Sequence, residues 1–297
     1  MKTRRGVARL IDPERRGSCE WTTLRLETKA TRGAGSTTWG RQASGLCWKA
    51  ALAAAIFLLI GDARAAELKV WSSMAFDDAW RELKPKFEAR GHKLDLVLGP
   101  SGMIEKRVSA GEGGDAIVTT ADGLERLTRD GKVVVGTGAP VASSAVGISV
   151  RKGAPKPDIS TPEALKRTLL SAKAVAYSDP AGGGASGIHF AKVLQRLGIA
   201  DQVNARAKLG RGVPNGEAVA RGEADVAVQQ IPELVPVAGT ELVGPLPGEL
   251  QSITTFSAGV LANTKHRKDV QALIEFLTSP DAAAVLKARS FDPAKSK

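Results

Sequence analysis

Cysteine is confined to the front of this chain. Cys19 and Cys47 are the only two in 297 residues. A disulfide, a thiolate metal site and a cysteine nucleophile are therefore excluded for whatever folds from residues 48–297. Histidine is nearly as scarce: His92, His189 and His266 are scattered, and none forms a metal-spaced pair such as His-Glu-x-x-His. Ser186 and His189 stand three apart, but no orienting carboxylate lies near them in sequence, so His189 reads as a packed or rim residue. No Gly-Lys-Ser/Thr follows the glycine run at residues 182–184, which excludes a nucleotide-binding P-loop.

A strong charge of one sign is also missing from most of the chain. The formal net charge is +11, yet residues 1–65 hold 12 Lys/Arg against 5 Asp/Glu, leaving 30 against 26 for the remainder. That balance is too mild to argue for nucleic acid. A transcription regulator would need an N-terminal helix-turn-helix. Residues 1–45 offer Gly33, Gly35, Gly40 and scattered threonines instead of amphipathic helices.

What stands at the front reads as an export leader. Lys49 precedes the apolar run from Ala50 to Ile60, and Ala63-Arg64-Ala65 has the small-x-small spacing of a cleavage site. The run is too short to span a bilayer comfortably. Residues 1–45 are far longer than an ordinary leader, which suggests that the true start lies downstream of Met1. Residues 1–65 are set apart from the fold, and the remainder is expected to be a soluble periplasmic protein.

From Glu67 onward, strand patterns alternate with helix patterns. Strands are expected at residues 68–71, 93–98 and 115–120, with helices at 77–90, 101–110 and 121–129. Pro85 marks a kink or an early end in the first helix. A small, β-branched segment at 133–150 crosses into a second α/β series. There Thr161 caps a helix with Pro162 at its first position, and strands fall at 174–177, 224–228 and 241–243. Residues 252–261 look extended and return the chain, and helices at 270–277 and 281–288 close it. Alternation of this kind predicts an α/β fold whose two lobes each hold a mainly parallel sheet flanked by helices. Lobe 1 is residues 66–145 with 256–297, lobe 2 is 146–255, and the two crossings form a two-segment hinge. Asp115 and Asp225, in or beside strands, read as solvated or capping carboxylates.

In open α/β sheets, ligands sit beyond the carboxyl ends of strands. The loops expected there are Ser72-Ser73, Gly99-Pro100-Ser101-Gly102, the stretch from Asp179-Pro180 to Ser186-Gly187, and Gly210-Arg211-Gly212-Val213, with Gln229-Gln230 ending a strand. Ser101 at a helix start reads as an N-cap or as an anion donor, and consecutive glycines let backbone amides converge on an anion.

With Gly222-Glu223-Ala224-Asp225, these stretches in this order and spacing resemble the periplasmic molybdate-binding proteins of ABC transporters over nearly all of residues 67–290. The resemblance implies a type II periplasmic binding protein fold and an oxyanion held by neutral donors between lobes. By position, the serine hydroxyls fall on Ser73 (or Ser72) and Ser101. The backbone amides fall at Ala185-Ser186 and near Gly212-Val213. The family's tyrosine is matched by Gln230, whose amide can also donate. Arg211 and the glycine run also suit a different anion, including a carboxylate. The expectation is a monomeric, non-enzymatic binding protein for a molybdate- or tungstate-like oxyanion that delivers it to an inner-membrane ABC permease, with no cofactor, no metal and no nucleic acid. The other reading kept open is a different small anion or an organic carboxylate.

Overall fold

The computed structural model describes residues 67–295, so the leader expectations for residues 1–65 lie outside the described residues. The first stretch runs β1 (Glu67–Ser73), a 3₁₀ turn (Met74–Phe76), α1 (Asp77–Glu88), β2 (Lys93–Gly99), α2 (Ser101–Ser109), β3 (Ala116–Thr120) and α3 (Ala121–Arg129). The long strand β4 (Ala139–Arg151) leads to α4 (Pro162–Ser171), β5 (Val175–Ser178), α5 (Ala185–Arg196), α6 (Ala200–Asn204) and β6 (Lys208–Gly210). Then come α7 (Gly216–Ala220), β7 (Val226–Gln230), α8 (Ile231–Leu234), β8 (Thr240–Pro245) and β9 (Ile253–Val260). The chain closes with α9 (Arg267–Leu277), α10 (Pro280–Ala288) and β10 (Asp292–Pro293). Helix α1 continues past Pro85 to Glu88.

Two sets of strands are joined through β4. In the first, β2, β1 and β3 are parallel, and β9 runs antiparallel to β3. In the second, β6, β5 and β7 are parallel, and β4 runs antiparallel to β7 and β8. Strand β4 pairs with β9 through Ala145 and with β7 from Val146 onward, so it leaves one set for the other between those two residues. The expectation of mainly parallel sheets is thereby corrected to a mixed arrangement: the two crossing strands run against their neighbours.

Period-two alternation places successive side chains on opposite faces, and both faces are covered. Val70 packs into one cluster with Phe76, Trp80 and Phe256, while its neighbour Trp71 packs into another with Ile104, Ile117 and Leu124. The second set repeats this, with Val175 and Tyr177 in one cluster and Ala174 and Ala176 in the other. Two carboxylates fasten strand starts in the same manner. Asp115 accepts from the Lys69 N–H at 2.9 Å and the Thr264 hydroxyl at 2.6 Å, and Asp225 accepts from the Lys173 N–H at 2.6 Å. Both are capping groups. Among the described residues, no helix is long and apolar enough to cross a membrane.

Candidate functional site

The parallel strands of both sets end at one cleft, as strand-end loops in α/β sheets should. The cleft is narrow, with about 30 Å³ of free volume, and is lined by loops after β1, β2, β5, β6 and β7, with Phe256 of β9. Of the residues expected from sequence, Ser73, Ser101, Ala185, Ser186, Gly212, Val213 and Gln230 line it.

Ser72 does not. Neighbouring residues on a strand face opposite ways, and the Ser72 hydroxyl accepts the Trp80 indole N–H at 2.8 Å, which commits it to the core. Ser73 faces the cleft. Its hydroxyl accepts from the Ser101 hydroxyl at 3.1 Å and weakly from the Ala75 N–H at 3.4 Å. Ser101 is not the N-cap of α2. Pro100 occupies that position and leaves the Ser101 hydroxyl to reach Ser73. Both serines are buried. Ser186 is the second residue of α5, whose start faces the cleft with Gly184 as its cap.

Gln230 is held by the crossing strands. Its Oε1 accepts from the Ser144 hydroxyl of β4 at 2.5 Å, and its Nε2 donates to the Thr254 hydroxyl of β9 at 2.8 Å. The amide retains one N–H for a ligand. His189 lines a separate groove, and its Nε2 lies 2.8 Å from the Leu250 carbonyl, away from the cleft. The Ser186–His189 dyad is therefore not assembled.

Three charged groups at the cleft frame its chemistry. Asp179 is buried at the base of the glycine loop, where it accepts from the Ala181 N–H at 2.9 Å and from Arg211 Nε at 2.7 Å. The backbone donor first, and Arg211 second, hold its carboxyl below the usual carboxylate range. The Arg211 side chain is 79 % exposed at the mouth, and its Nη groups make no hydrogen bond among the described residues. Glu233, on α8 one turn beyond β7, accepts from the Gln229 amide. Part of its side chain meets solvent, yet the surrounding protein desolvates the carboxyl and pushes its pKa up to about 8 against the opposing Gln229 donor. Sequence reading passed over Glu233 and named Asp179 only as the start of a cleft loop. Their only signal was a carboxylate in a loop or turn directly after a strand end.

A backbone hydrogen bond joins the two sides of the cleft. The Gly102 N–H donates to the Gly183 carbonyl at 2.9 Å, joining the loop after β2 to the loop after β5. A Cβ on Gly102 would lie 3.0 Å from Gly183 Cα, and Gly183 itself sits at φ +78°. Only glycines allow this approach. Among the described residues, no group of three or more His, Cys, Asp or Glu is placed to hold a metal ion.

Comparison with known proteins bears on this geometry. The chain is 34 % identical to the aconitate isomerase of a Pseudomonas species over 76 % of its length and 87 % of that protein. It is 26 % identical to the molybdate-binding protein ModA of Azotobacter vinelandii over 79 % of the chain and 93 % of that protein. The solved periplasmic molybdate-binding protein from the same organism superposes with a TM-score of 0.64 at 19 % identity, covering 77 % of this chain and all of that one. The expectation of a non-enzymatic protein is corrected by the first of these, because a relative at 34 % identity over most of the chain is an enzyme. The model of the bacterial extracellular solute-binding proteins matches residues 68–292, and the chain belongs to that family.

Proposed function

We propose that this protein binds a small unsaturated polycarboxylate in the cleft and isomerises it, with aconitate the first substrate to test. The observation that carries this reading is the 34 % identity to an aconitate isomerase over 76 % of the chain. The cleft is consistent with it. Arg211 suits a carboxylate at the mouth, serine hydroxyls and helix starts suit further carboxylate oxygens, and Glu233 adds a titratable group that holding an oxyanion does not require. The structural likeness at 19 % identity supports the fold alone.

In this reading, residues 66–145 with 256–297 form one lobe and residues 146–255 the other. Strands β4 and β9 are the hinge, and Gln230 bonds to both. Closure brings donors from both lobes onto the ligand, so the ligand favours the closed form through contacts that the open form lacks. Membership of an extracellular solute-binding family supports a periplasmic location, and in this reading the protein is a monomer whose closed form an ABC permease can read.

Incubated separately with cis- and trans-aconitate, the purified protein is expected to convert each toward the same final ratio, followed through the vinyl proton by NMR. Absence of conversion from either side would sink the isomerase reading. A shift in melting temperature with molybdate or tungstate, and none with aconitate, would favour oxyanion binding instead.

Ser101→Ala removes one hydroxyl while leaving α2 and its Pro100 cap intact. It is expected to weaken cis-aconitate binding about fivefold to tenfold, the effect of roughly one hydrogen bond, with little change in melting temperature. Unchanged affinity by calorimetry would reduce Ser101 to a support for Ser73.

A further inference from the structure

One carboxylate in the cleft wall opens to two sides. Glu233 lines the cleft beside Gln229 and Met74, and it also lines an outer groove of about 440 Å³ shared with Asp77, Arg81 and Glu217. Strand β7 ends at Gln230, and the single turn of α8 returns the chain so that Glu233 lies beside Gln229. The orientation of the Gln229 amide is fixed from its other end. Its Oε1 accepts the Asn215 N–H at 2.7 Å, which leaves the NH₂ group to face Glu233. The carboxyl is thus held in place by a neutral donor, and among the described residues no cation is hydrogen-bonded to it.

Resting on the isomerase reading, we propose that Glu233 is the catalytic residue that takes a proton from one carbon of the bound substrate and returns it to another. In an unsaturated polycarboxylate, the C–H bond of the methylene beside the alkene breaks and its proton passes to the Glu233 carboxylate. The electron pair left behind forms the new C=C bond, and the old π pair takes the proton back at the far alkene carbon. One C–H bond is lost and one gained, so no oxidant, reductant or co-reactant is required. The carboxylates on the two outer carbons of this three-carbon unit delocalise the intermediate charge, and the conformation in which the former single bond is held when its proton leaves sets the geometry of the new double bond.

The other charged groups are poorly suited to this task. Asp179 is ion-paired with Arg211 and capped by a backbone N–H, so it holds a proton weakly. A thiolate adding across the double bond is excluded by the absence of cysteine from residues 48–297. Desolvation brings Glu233 near neutrality, where a group both accepts and returns a proton readily. The charged groups around it are Asp77, Asp78 and Arg81 of α1, with Glu217 of α7 and Arg221 just after it, all along the outer groove, and Asp179 with Arg211 at the cleft.

Glu233→Gln keeps the shape of the side chain and removes its titration. With cis-aconitate as probe, kcat is expected to fall about 100-fold or more while KM stays within about threefold, and Glu233→Asp should retain a measurable part of the rate. Wild-type kcat/KM should rise with pH toward about 8, as the base form accumulates, and the residual activity of the glutamine variant should lack that rise. A purely structural role would move KM without moving the pH profile. If wild type isomerises aconitate and Glu233→Gln does so at nearly the same rate, the assignment falls and the isomerase reading stands. If wild type binds cis-aconitate without converting it, both fall.

Discussion

Replacing Gly102 by valine is expected to weaken cis-aconitate binding about 100-fold, close to 3 kcal/mol, with almost no change in the melting temperature of the ligand-free protein. Gly102 is the second residue of α2, and its N–H meets the Gly183 carbonyl at 2.9 Å across the cleft. Its own backbone is helical and accepts a side chain locally, so the cost falls on closure. A Cβ there stands 3.0 Å from both Gly183 Cα and Gly183 O, before the two methyl groups of valine are added. The opposing loop has little room to retreat. Asp179 caps it through Ala181, and the Gly183 N–H is bonded to the Pro180 carbonyl at 3.1 Å. Overpacking of this kind costs about 1–3 kcal/mol where the contact must form. Where the lobes stand apart it costs little. A matched control is Gly113→Ala, whose added Cβ meets nothing within 4 Å and which should bind as wild type does. Wild-type affinity in Gly102→Val would show that the Gly102–Gly183 contact is not part of the ligand-holding state.

That contact illustrates where sequence reading reaches and where it stops. The α/β alternation, the crossing at β4 and the loops at strand ends were legible, because hydrophobic period and glycine or proline punctuation are local. Thr161 with Pro162 marked a helix start, and the Thr161 hydroxyl does accept the Ala164 N–H at 3.1 Å. The antiparallel course of β4 and β9 was not legible, since a strand pattern carries no direction relative to its neighbours. Ser72 and Ser73 were indistinguishable for a related reason. Both faces of the sheet are buried, so alternation alone does not tell which serine reaches the cleft, and Trp80 decides it from eight residues away. Gln230 was placed at the right strand end, but its partners Ser144 and Thr254 come from strands far apart in sequence. The proposed catalysis has no local mark in the sequence. A solute-binding fold hosts capture and chemistry alike, and in the proposed reading what separates them is one carboxylate after β7 whose proton affinity is set by tertiary burial.

That burial has a consequence for stability independent of any ligand. Above pH 8, Glu233→Gln is expected to be more stable than wild type by roughly 2 kcal/mol, a rise of about 4–8 °C in melting temperature for a domain of this size. The folded protein releases the Glu233 proton near pH 8, whereas the unfolded chain releases it near 4.5. Between those values the native state binds more protons than the unfolded state, so wild-type stability falls as pH rises and levels off above about 8. Below 4.5 both states are protonated and the burdening charge is absent. Glutamine does not titrate, and its side-chain oxygen can still accept from Gln229, so the variant escapes this loss. Full linkage over the interval corresponds to about 5 kcal/mol. Part of the side chain meets solvent, and screening brings the expectation down to the smaller figure. Thermal melts of the two proteins should therefore converge at about pH 4 and separate progressively toward pH 8. Parallel melts across that range would mean that the carboxyl is solvated in the folded state, and Glu233 would then lose the proton affinity that its catalytic role requires. A variant that gains stability and loses turnover at the same pH would instead show a charge kept for chemistry at a cost to the fold.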